Sequence, residues 1–254
     1  MKLKFNVKRE LKIVAALLVV LVFIAFTERK HEEFAIRDVV VKIENGVDNH
    51  FLDESDVLGL MRVDVENIRG AKTSDINLKA IEAKIKKDPF IKQADLYTDL
   101  KGNLIASIAL RRPIARIIRA DGPDGYIAED GTVMPVSEKF TARVLLISGA
   151  YTRKILEQSN INSTEEGAEL LKLIRVLKED DFWSAQIAQM DIDAKGRLTL
   201  FPQVGDERIE FGRTDNQSAK LKKLKIYYKE IVPKAGWNKY KRVSLQYDGQ
   251  IVAE

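Results

Sequence analysis

The sequence FIKQADLYTDLKGNLIASIAL, from Phe90 to Leu110, decides the fold of the first domain. Its two apolar runs, Phe90 to Tyr97 and Asn103 to Leu110, have the composition of β-strands. The residues between them are polar and include a glycine, as in the loop of a hairpin. The segment therefore predicts two consecutive strands joined by a short turn.

Upstream of this hairpin, the pattern predicts one strand and two helices. Ile36 to Ile43 is rich in β-branched residues, which is typical of a strand. Asp53 to Met61 predicts a short helix with Asp53 as its N-cap, and Asn77 begins a second helix that ends at Asp88-Pro89. The order strand, helix, helix, strand, strand predicts a compact α+β domain over residues 36–111.

The N-terminal segment has a different composition, because a basic tail over residues 1–12 precedes the uncharged run Ile13 to Thr27. As a helix this run rises roughly 22 Å, against a bilayer core of about 30 Å, and flanking lysine and arginine stems can extend the span. A cleaved signal peptide is the alternative, but the charged residues that follow make a poor cleavage site. We predict a transmembrane helix over residues 13–28 and a connector over residues 29–35.

The charge distribution predicts the orientation of this helix. Five lysine and arginine side chains precede the apolar run and only Glu10 opposes them, so the positive-inside rule places the N-terminus in the cytoplasm and the bulk outside. The net charge is +4, which leaves the exported part close to neutral and gives no argument for nucleic-acid binding. Because the chain has no cysteine, a thiol nucleophile and a cysteine metal site are excluded.

Residues 112–254 have the pattern of a mostly antiparallel β domain with two helices. Short strand-like runs alternate with turns that contain glycine and aspartate. The segments Thr164 to Asp181 and Gln217 to Val232 have helical periodicity. The run Arg242 to Val252 alternates polar and apolar residues and predicts one closing strand.

Five segments share residue patterns with one known family, in the order in which that family has them. They are Asp88 to Ala94, Arg112 to Arg116, Tyr126 to Met134, Phe211 to Leu224 and Val243 to Val252. Together with the element order, they resemble the FtsQ/DivIB family of bacterial cell-division proteins. The resemblance implies an α+β fold in which a POTRA-like domain (β-α-α-β-β) follows the N-terminal helix and precedes the β domain.

Some positions depart from the family pattern. An arginine, Arg111 or Arg112, stands where the family has an acidic residue before the hinge proline, and Ala128 replaces an aspartate. Ser244 and Gln246 replace an acidic and a basic residue in the closing segment. Salt bridges of relatives at these positions are therefore not transferred to this chain.

The sequence contains no catalytic pattern. His31 and His50 lie far apart, and no helix carries the H-E-x-x-H spacing of a zinc site. Adjacent carboxylates such as Glu165-Glu166 do not face each other on a helix, and the chain has neither a phosphate-binding glycine loop nor a nucleophile elbow. We expect no catalytic residues, no metal, no cofactor and no small-molecule substrate.

The closing strand and the helix before it form the candidate partner-binding site. A last strand often lies at a sheet edge, where free N–H and C=O groups can accept a partner strand, and the resembled family docks a partner in this way. A glycine inside a strand, here Gly249, often marks close backbone approach. The alternative is a tyrosine in the core and lysines that only solubilise the surface. The contacts that the resemblance implies are Tyr247, Gly249, Gln250, Lys220, Lys223 and Lys225.

The resemblance implies a non-enzymatic scaffold of the division complex, in the bacterial inner membrane and at the septum, with its bulk in the periplasm. Its implied partners are other bitopic division proteins, FtsB-like and FtsL-like. An alternative is a POTRA-bearing transport or assembly factor that binds extended polypeptides. The POTRA-like domain also offers a second candidate edge, in Phe90 to Tyr97 or Asn103 to Leu110. An enzyme acting on cell-wall polymer would require an acid/base pair that the sequence does not show.

Overall fold

A computed structural model describes residues 14–22, 35–46 and 48–254. The chain divides into two compact units, which are treated separately below. The N-terminal unit contains the chain up to Asn45 together with Leu52–Ala109. The C-terminal unit contains Gly46–Phe51 and Leu110–Glu254.

The predicted transmembrane helix over residues 13–28 is contradicted. In the part of the chain that the structure describes, no helix is both long and apolar enough to cross a bilayer. Within the predicted range, residues 14–22 are helical, and nine residues rise about 14 Å, less than half of the bilayer core. The predicted tail over residues 1–12, the end of the predicted helix and most of the connector lie outside the described residues.

The N-terminal unit confirms the predicted order of strand, helix, helix, strand and strand. Its strands form one sheet in the order β1-β3-β2, with β1 parallel to β3 from Val39 opposite Leu104 to Ile43 opposite Ile108. The elements are β1 (Val39–Ile43), α1 (Glu54–Ile68), a 3₁₀ turn (Thr73–Asp75), α2 (Leu78–Ile85), β2 (Ile91–Thr98) and β3 (Leu104–Leu110).

The helix α1 is longer than predicted. The sequence predicts its end at Met61 and an irregular segment beyond it, whereas the helix continues to Ile68. Val57, Met61 and Ile68 are buried at helical spacing. Packing of this face therefore stabilises the helix beyond Met61, although the sequence there has only a weak preference for helix. The predicted N-caps hold, because Asp53 Oδ1 accepts the backbone N–H of Asp56 at 2.9 Å and Asn77 Oδ1 accepts that of Ala80 at 3.0 Å.

The C-terminal unit is built on one sheet of nine strands, in the order β12-β11-β10-β9-β8-β7-β4-β5-β6. Five of the eight strand pairings within residues 112–254 are antiparallel, as the sequence predicts, and three are parallel. The strands are β4 (Pro113–Ile117), β5 (Gly125–Ala128), β6 (Val133–Pro135), β7 (Leu145–Ser148), β8 (Ile187–Ile192), β9 (Leu198–Pro202), β10 (Arg208–Gly212), β11 (Arg242–Ser244) and β12 (Val252–Ala253).

The two predicted long helices are present, with shorter helical segments that the sequence pattern did not predict. The second long helix is a regular α-helix up to Ile226, and the chain then continues as a π-helical turn and a last short α-helix. The helical segments are α3 (Thr152–Leu156), a 3₁₀ turn (Ile161–Ser163), α4 (Glu165–Glu179), α5 (Asp181–Gln186), α6 (Gln217–Ile226), the π-helical turn (Tyr227–Ile231) and α7 (Val232–Ala235).

One row of apolar side chains runs across the nine-stranded sheet. Each member lies opposite the next on the neighbouring strand, and all but the last are completely buried. This row packs in one core with Leu171 and Ile174 of α4 and Leu224 of α6, so both long helices cover the same face. The row consists of Ile117, Ile147, Met190, Leu200, Ile209, Val243 and the half-buried Ala253.

Replacing the N-cap of α2 tests how the N-terminal unit is held. Asn77→Ala removes the acceptor for the Ala80 N–H, which typically costs about 1 kcal/mol of helix stability. We expect backbone amide hydrogen exchange in α2 of the intact chain to become roughly 5-fold faster. Lys79→Ala, on an exposed position of the same helix, should leave exchange unchanged. Equal exchange in both variants would contradict the cap assignment.

Candidate partner-binding edge of the sheet

The prediction of a single closing strand from Arg242 to Val252 is wrong. The segment forms β11 and β12, which pair antiparallel with Val243 opposite Ala253 and Ser244 opposite Val252. Between them the chain turns at Tyr247 to Gly249. The alternation of polar and apolar residues continues through this turn, so the periodicity does not reveal the reversal.

Gly249 lies in this turn, where no other part of the chain approaches it closely. Its φ is +68°, a left-handed conformation that glycine adopts at low cost, and a Cβ built on it would meet no atom within 4 Å. The interpretation of Gly249 as a glycine inside a strand is therefore wrong. Tyr247 and Gln250 lie in the same exposed turn, and Tyr247 is 50% exposed, so it is not a core residue.

The strand β12 forms one edge of the nine-stranded sheet. Arg242 and Glu254 exchange both backbone hydrogen bonds, with N···O distances of 3.1 and 2.9 Å. In an antiparallel pair, hydrogen-bonded positions alternate with positions whose N–H and C=O point away from the partner. The backbone N–H and C=O of Ala253 therefore point outward, where an added strand would pair with them.

The opposite edge of this sheet, β6, is covered by the chain itself. The backbone N–H of Val133 donates to the carbonyl of Ser159 at 3.0 Å, and Thr132 forms a bridge with Asn160. The strand ends at Pro135, which has no N–H to donate. Of the two edges of the sheet, β12 therefore offers the more accessible backbone groups.

Of the two hairpin strands that could offer an edge, β2 lies at an edge of its sheet and β3 does not. The strand β3 is central in its sheet, so it presents no free edge. The strand β2 lies at an edge, but the backbone N–H of Leu96 donates to Glu82 Oε1 at 2.8 Å. A carboxylate from α2 thus occupies a group that an added strand would need.

Arg242 joins the last three strands through two carboxylates. Its Nε and Nη2 donate to Glu210 on β10, at 2.6 and 3.0 Å, and its Nη1 donates to Glu254 at 2.9 Å. The hydrogen bond from Arg242 and its positive charge lower the pKa of Glu210 below its usual value. Gln246, at a position where the family pattern has a basic residue, donates to the same Glu210 carboxylate at 3.3 Å.

The three predicted lysines of α6 have different surroundings. Lys220 is 7% exposed and its Nζ donates to Asp215 and to the carbonyl of Arg213, each at 2.9 Å. Lys225 lies over the rings of Phe182 and Trp183 and 3.5 Å from Asp180.

Lys223 is the one of the three that reaches the candidate site. Its Nζ donates to the carbonyl of Leu245 at 2.7 Å and to that of Tyr247, so it holds the start of the turn. The structure thus brings Lys223 together with Tyr247, Gly249 and Gln250, and it places Lys220 and Lys225 in other contacts.

Sequence reasoning missed Ala253, Glu254, Arg242 and Glu210 at this edge. Glu210 and Arg242 are charged residues within strand-like segments, which is a weak signal on its own, and Ala253 and Glu254 lie beyond the predicted closing strand. The proximity of Glu210 and Arg242 depends on the parallel pairing of β10 with β11, whose partners lie more than thirty residues apart along the chain.

The structure describes one of the two histidines, His50. His50 packs edge-on against Phe140 with a centroid distance of 5.6 Å, and His31 lies outside the described residues. Among residues 14–22, 35–46 and 48–254, no group of three or more His, Cys, Asp or Glu side chains is placed to hold a metal ion.

The Arg242–Glu210 contact predicts a pH dependence of stability. Because the pKa of Glu210 is lowered in the folded state, its contribution is complete above the usual glutamate pKa of about 4.3 and is lost as the pH falls through the folded value. Glu210→Gln should therefore lower the free energy of unfolding by about 1 kcal/mol at pH 7 and by much less at about pH 3. Urea unfolding of both proteins at the two pH values measures this difference, and a pH-independent difference would contradict the assignment.

The effect of the hydrogen bonds that Lys223 donates can be measured separately from the effect of its charge. Lys223→Met removes two charge-assisted hydrogen bonds to carbonyls of the turn, each worth roughly 1.5 kcal/mol or more. We expect amide exchange in the Leu245–Gln250 segment to become at least about 10-fold faster. Lys222→Met, which removes an exposed neighbour of equal charge, should leave exchange unchanged. An equal effect of both changes would show that charge alone matters.

The comparison with known proteins supports the two-unit organisation. Residues 35–109 match a family model described as a POTRA-like domain, and residues 112–254 match one described as FtsQ/DivIB, C-terminal related. A relative from Geotalea daltonii, named cell division protein FtsQ, is 26% identical over 211 residues, covering 80% of this chain and 74% of the relative.

A second relative carries the same name. The cell division protein FtsQ of Salinibacter ruber is 25% identical over 191 residues, covering 72% of each chain. The matches run through both units, and the C-terminal family model spans more than half of the chain, including the whole of the candidate edge. The chain therefore belongs to the FtsQ/DivIB, C-terminal related family.

Proposed function

We propose that this protein is a non-enzymatic scaffold of the bacterial division complex that holds other division proteins by strand addition at β12. The observation that carries the proposal is the register of β12, which turns the N–H and C=O of Ala253 outward at an edge of the sheet. The names of the relatives place the proposal in cell division. The proposed partners are FtsB-like and FtsL-like proteins, and the proposed site of action is the septum.

The short length of β12 sets a requirement on such a partner. A two-residue edge strand provides few backbone hydrogen bonds, each worth about 1 kcal/mol net. Backbone pairing alone would therefore bind weakly, and side-chain contacts beside the strand must contribute. The adjacent turn supplies Tyr247, whose ring is half exposed, and the exposed Gln250.

The proposed contacts follow from this division of roles. Ala253 supplies the backbone groups, and Tyr247 and Gln250 contact the partner beside them. Lys223 and Gly249 shape the turn that presents Tyr247. Lys220 and Lys225 remain predicted contacts, and in this structure both are engaged with carboxylates of their own chain.

Ala253→Pro tests strand addition with little effect on the internal sheet. Proline has no N–H, and the N–H of Ala253 points away from β11, so the change removes a group that only an added strand would use. We expect the full-length variant, expressed as the only copy in the source bacterium, to lose co-purification of the FtsB-like protein. Ala253→Ser, which keeps the N–H, should retain it. Retention by both variants would contradict strand addition at β12.

The position of the protein in the cell separates this proposal from a transport factor. An N-terminally fluorescent-tagged copy should form a band at midcell before constriction begins. A uniform signal through the whole cell cycle would contradict the division role and would favour a transport or assembly factor that binds extended polypeptides.

A further inference from the structure

The face of the sheet beside β12 carries charges that an added strand must meet. The register places Glu210 opposite Ser244, Ser244 opposite Val252, and Arg242 in a backbone-bonded pair with Glu254. Side chains that lie opposite each other in a sheet share a face. Glu210, Arg242 and Glu254 therefore lie on the face opposite to the buried row that ends at Ala253.

On β10 to β12 this face carries two cations, Arg208 and Arg242, and two anions, Glu210 and Glu254, and the anion Glu254 lies nearest to the edge. Arg242 is shared between the carboxylates of Glu210 and Glu254, so one cation serves two anions. The turn between β11 and β12 adds one charge of each sign, from the exposed Asp248 and from Lys223, whose Nζ binds two turn carbonyls. Lys241 and Asp206, 3.2 Å apart, neutralise each other.

Glu254 is the member of this group nearest to the free edge. It directly follows the edge strand β12, and its side chain is 63% exposed. Arg242 contacts one of its two carboxylate oxygens, Oε2, at 2.9 Å. A side chain of an added strand directly opposite Glu254 would have its Cβ about 5 Å from the Cβ of Glu254, within reach of a salt bridge.

The apolar face of the sheet favours a different kind of partner side chain. Ala253 continues the row of buried apolar side chains from Val243 and is itself half buried. A partner residue paired with Ala253 would place its side chain on this apolar face, and its two neighbours would lie on the charged face. An apolar side chain there would extend the row by one more strand.

From these observations we infer that the partner of β12 is a strand with an apolar residue opposite Ala253 and a lysine or arginine opposite Glu254. The inference rests on the proposed function and specifies the chemistry of its partner. A glutamate or aspartate at the same position would lie beside Glu254 and be repelled. Cross-strand charge pairs are individually weak, so the selection is a preference in affinity and not an absolute requirement.

Two synthetic peptides test this preference. Each has about eight residues, rich in valine and threonine, and they differ only in carrying lysine or glutamate at alternate positions. Binding of each labelled peptide to the full-length protein is measured by fluorescence anisotropy at low salt. We expect the lysine peptide to bind roughly 5-fold more tightly, and the difference to shrink at high salt.

Three variants identify the source of the difference. Glu254→Gln should bring the two affinities together, whereas Glu157→Gln, which removes an exposed carboxylate on the distant α3 side of the sheet, should keep them apart. Ala253→Pro should abolish binding of both peptides.

The outcomes distinguish this inference from the proposed strand addition at β12, on which it rests. Equal binding of both peptides, or tighter binding of the glutamate peptide, together with loss of binding in Ala253→Pro, would overturn the charge inference and leave strand addition standing. Absence of binding, or binding that Ala253→Pro does not reduce, would overturn strand addition at β12 and the charge inference with it.

Discussion

The buried row from Ile117 to Val243 is the packing constraint on which the C-terminal unit depends. Six completely buried side chains on six neighbouring strands form one apolar line, which both long helices cover. Burial of such side chains contributes roughly 1.5–3 kcal/mol each, so the line fixes the register of every strand that it crosses. Because Val243 belongs to it, β11 is held in register, and β11 in turn positions the two residues of β12.

Local elements could be predicted from the sequence where strong local signals exist. Asn77 and Asp53 indicated where two helices begin. The extension of α1 to Ile68 could not be predicted, because it follows from packing in the N-terminal unit. The membrane-spanning helix was a prediction from hydropathy and length, and the helices of the described residues do not bear it out.

The sequence indicated which segments form the candidate site, but it did not reveal the turn between β11 and β12 or the contacts that hold it. The turn signal Asp248-Gly249 was present, but regular alternation on both sides concealed it. Lys223 was predicted as a contact with a partner, and the structure adds a role that was not predicted, because its ammonium group binds carbonyls of its own turn. Such a role depends on a helix and a turn that meet only in the folded unit, so spacing along the chain contains no sign of it.

The parallel pairing of β10 with β11 has a consequence for the order of folding. A parallel neighbour requires a crossover, and here α6, the π-helical turn and α7 form it. Contacts between residues so distant along the chain form late, since the entropy of closing the loop must be overcome first. The edge at β12 therefore exists only on a chain whose last helices have already docked, and an incompletely folded molecule has no surface with which to join an assembly.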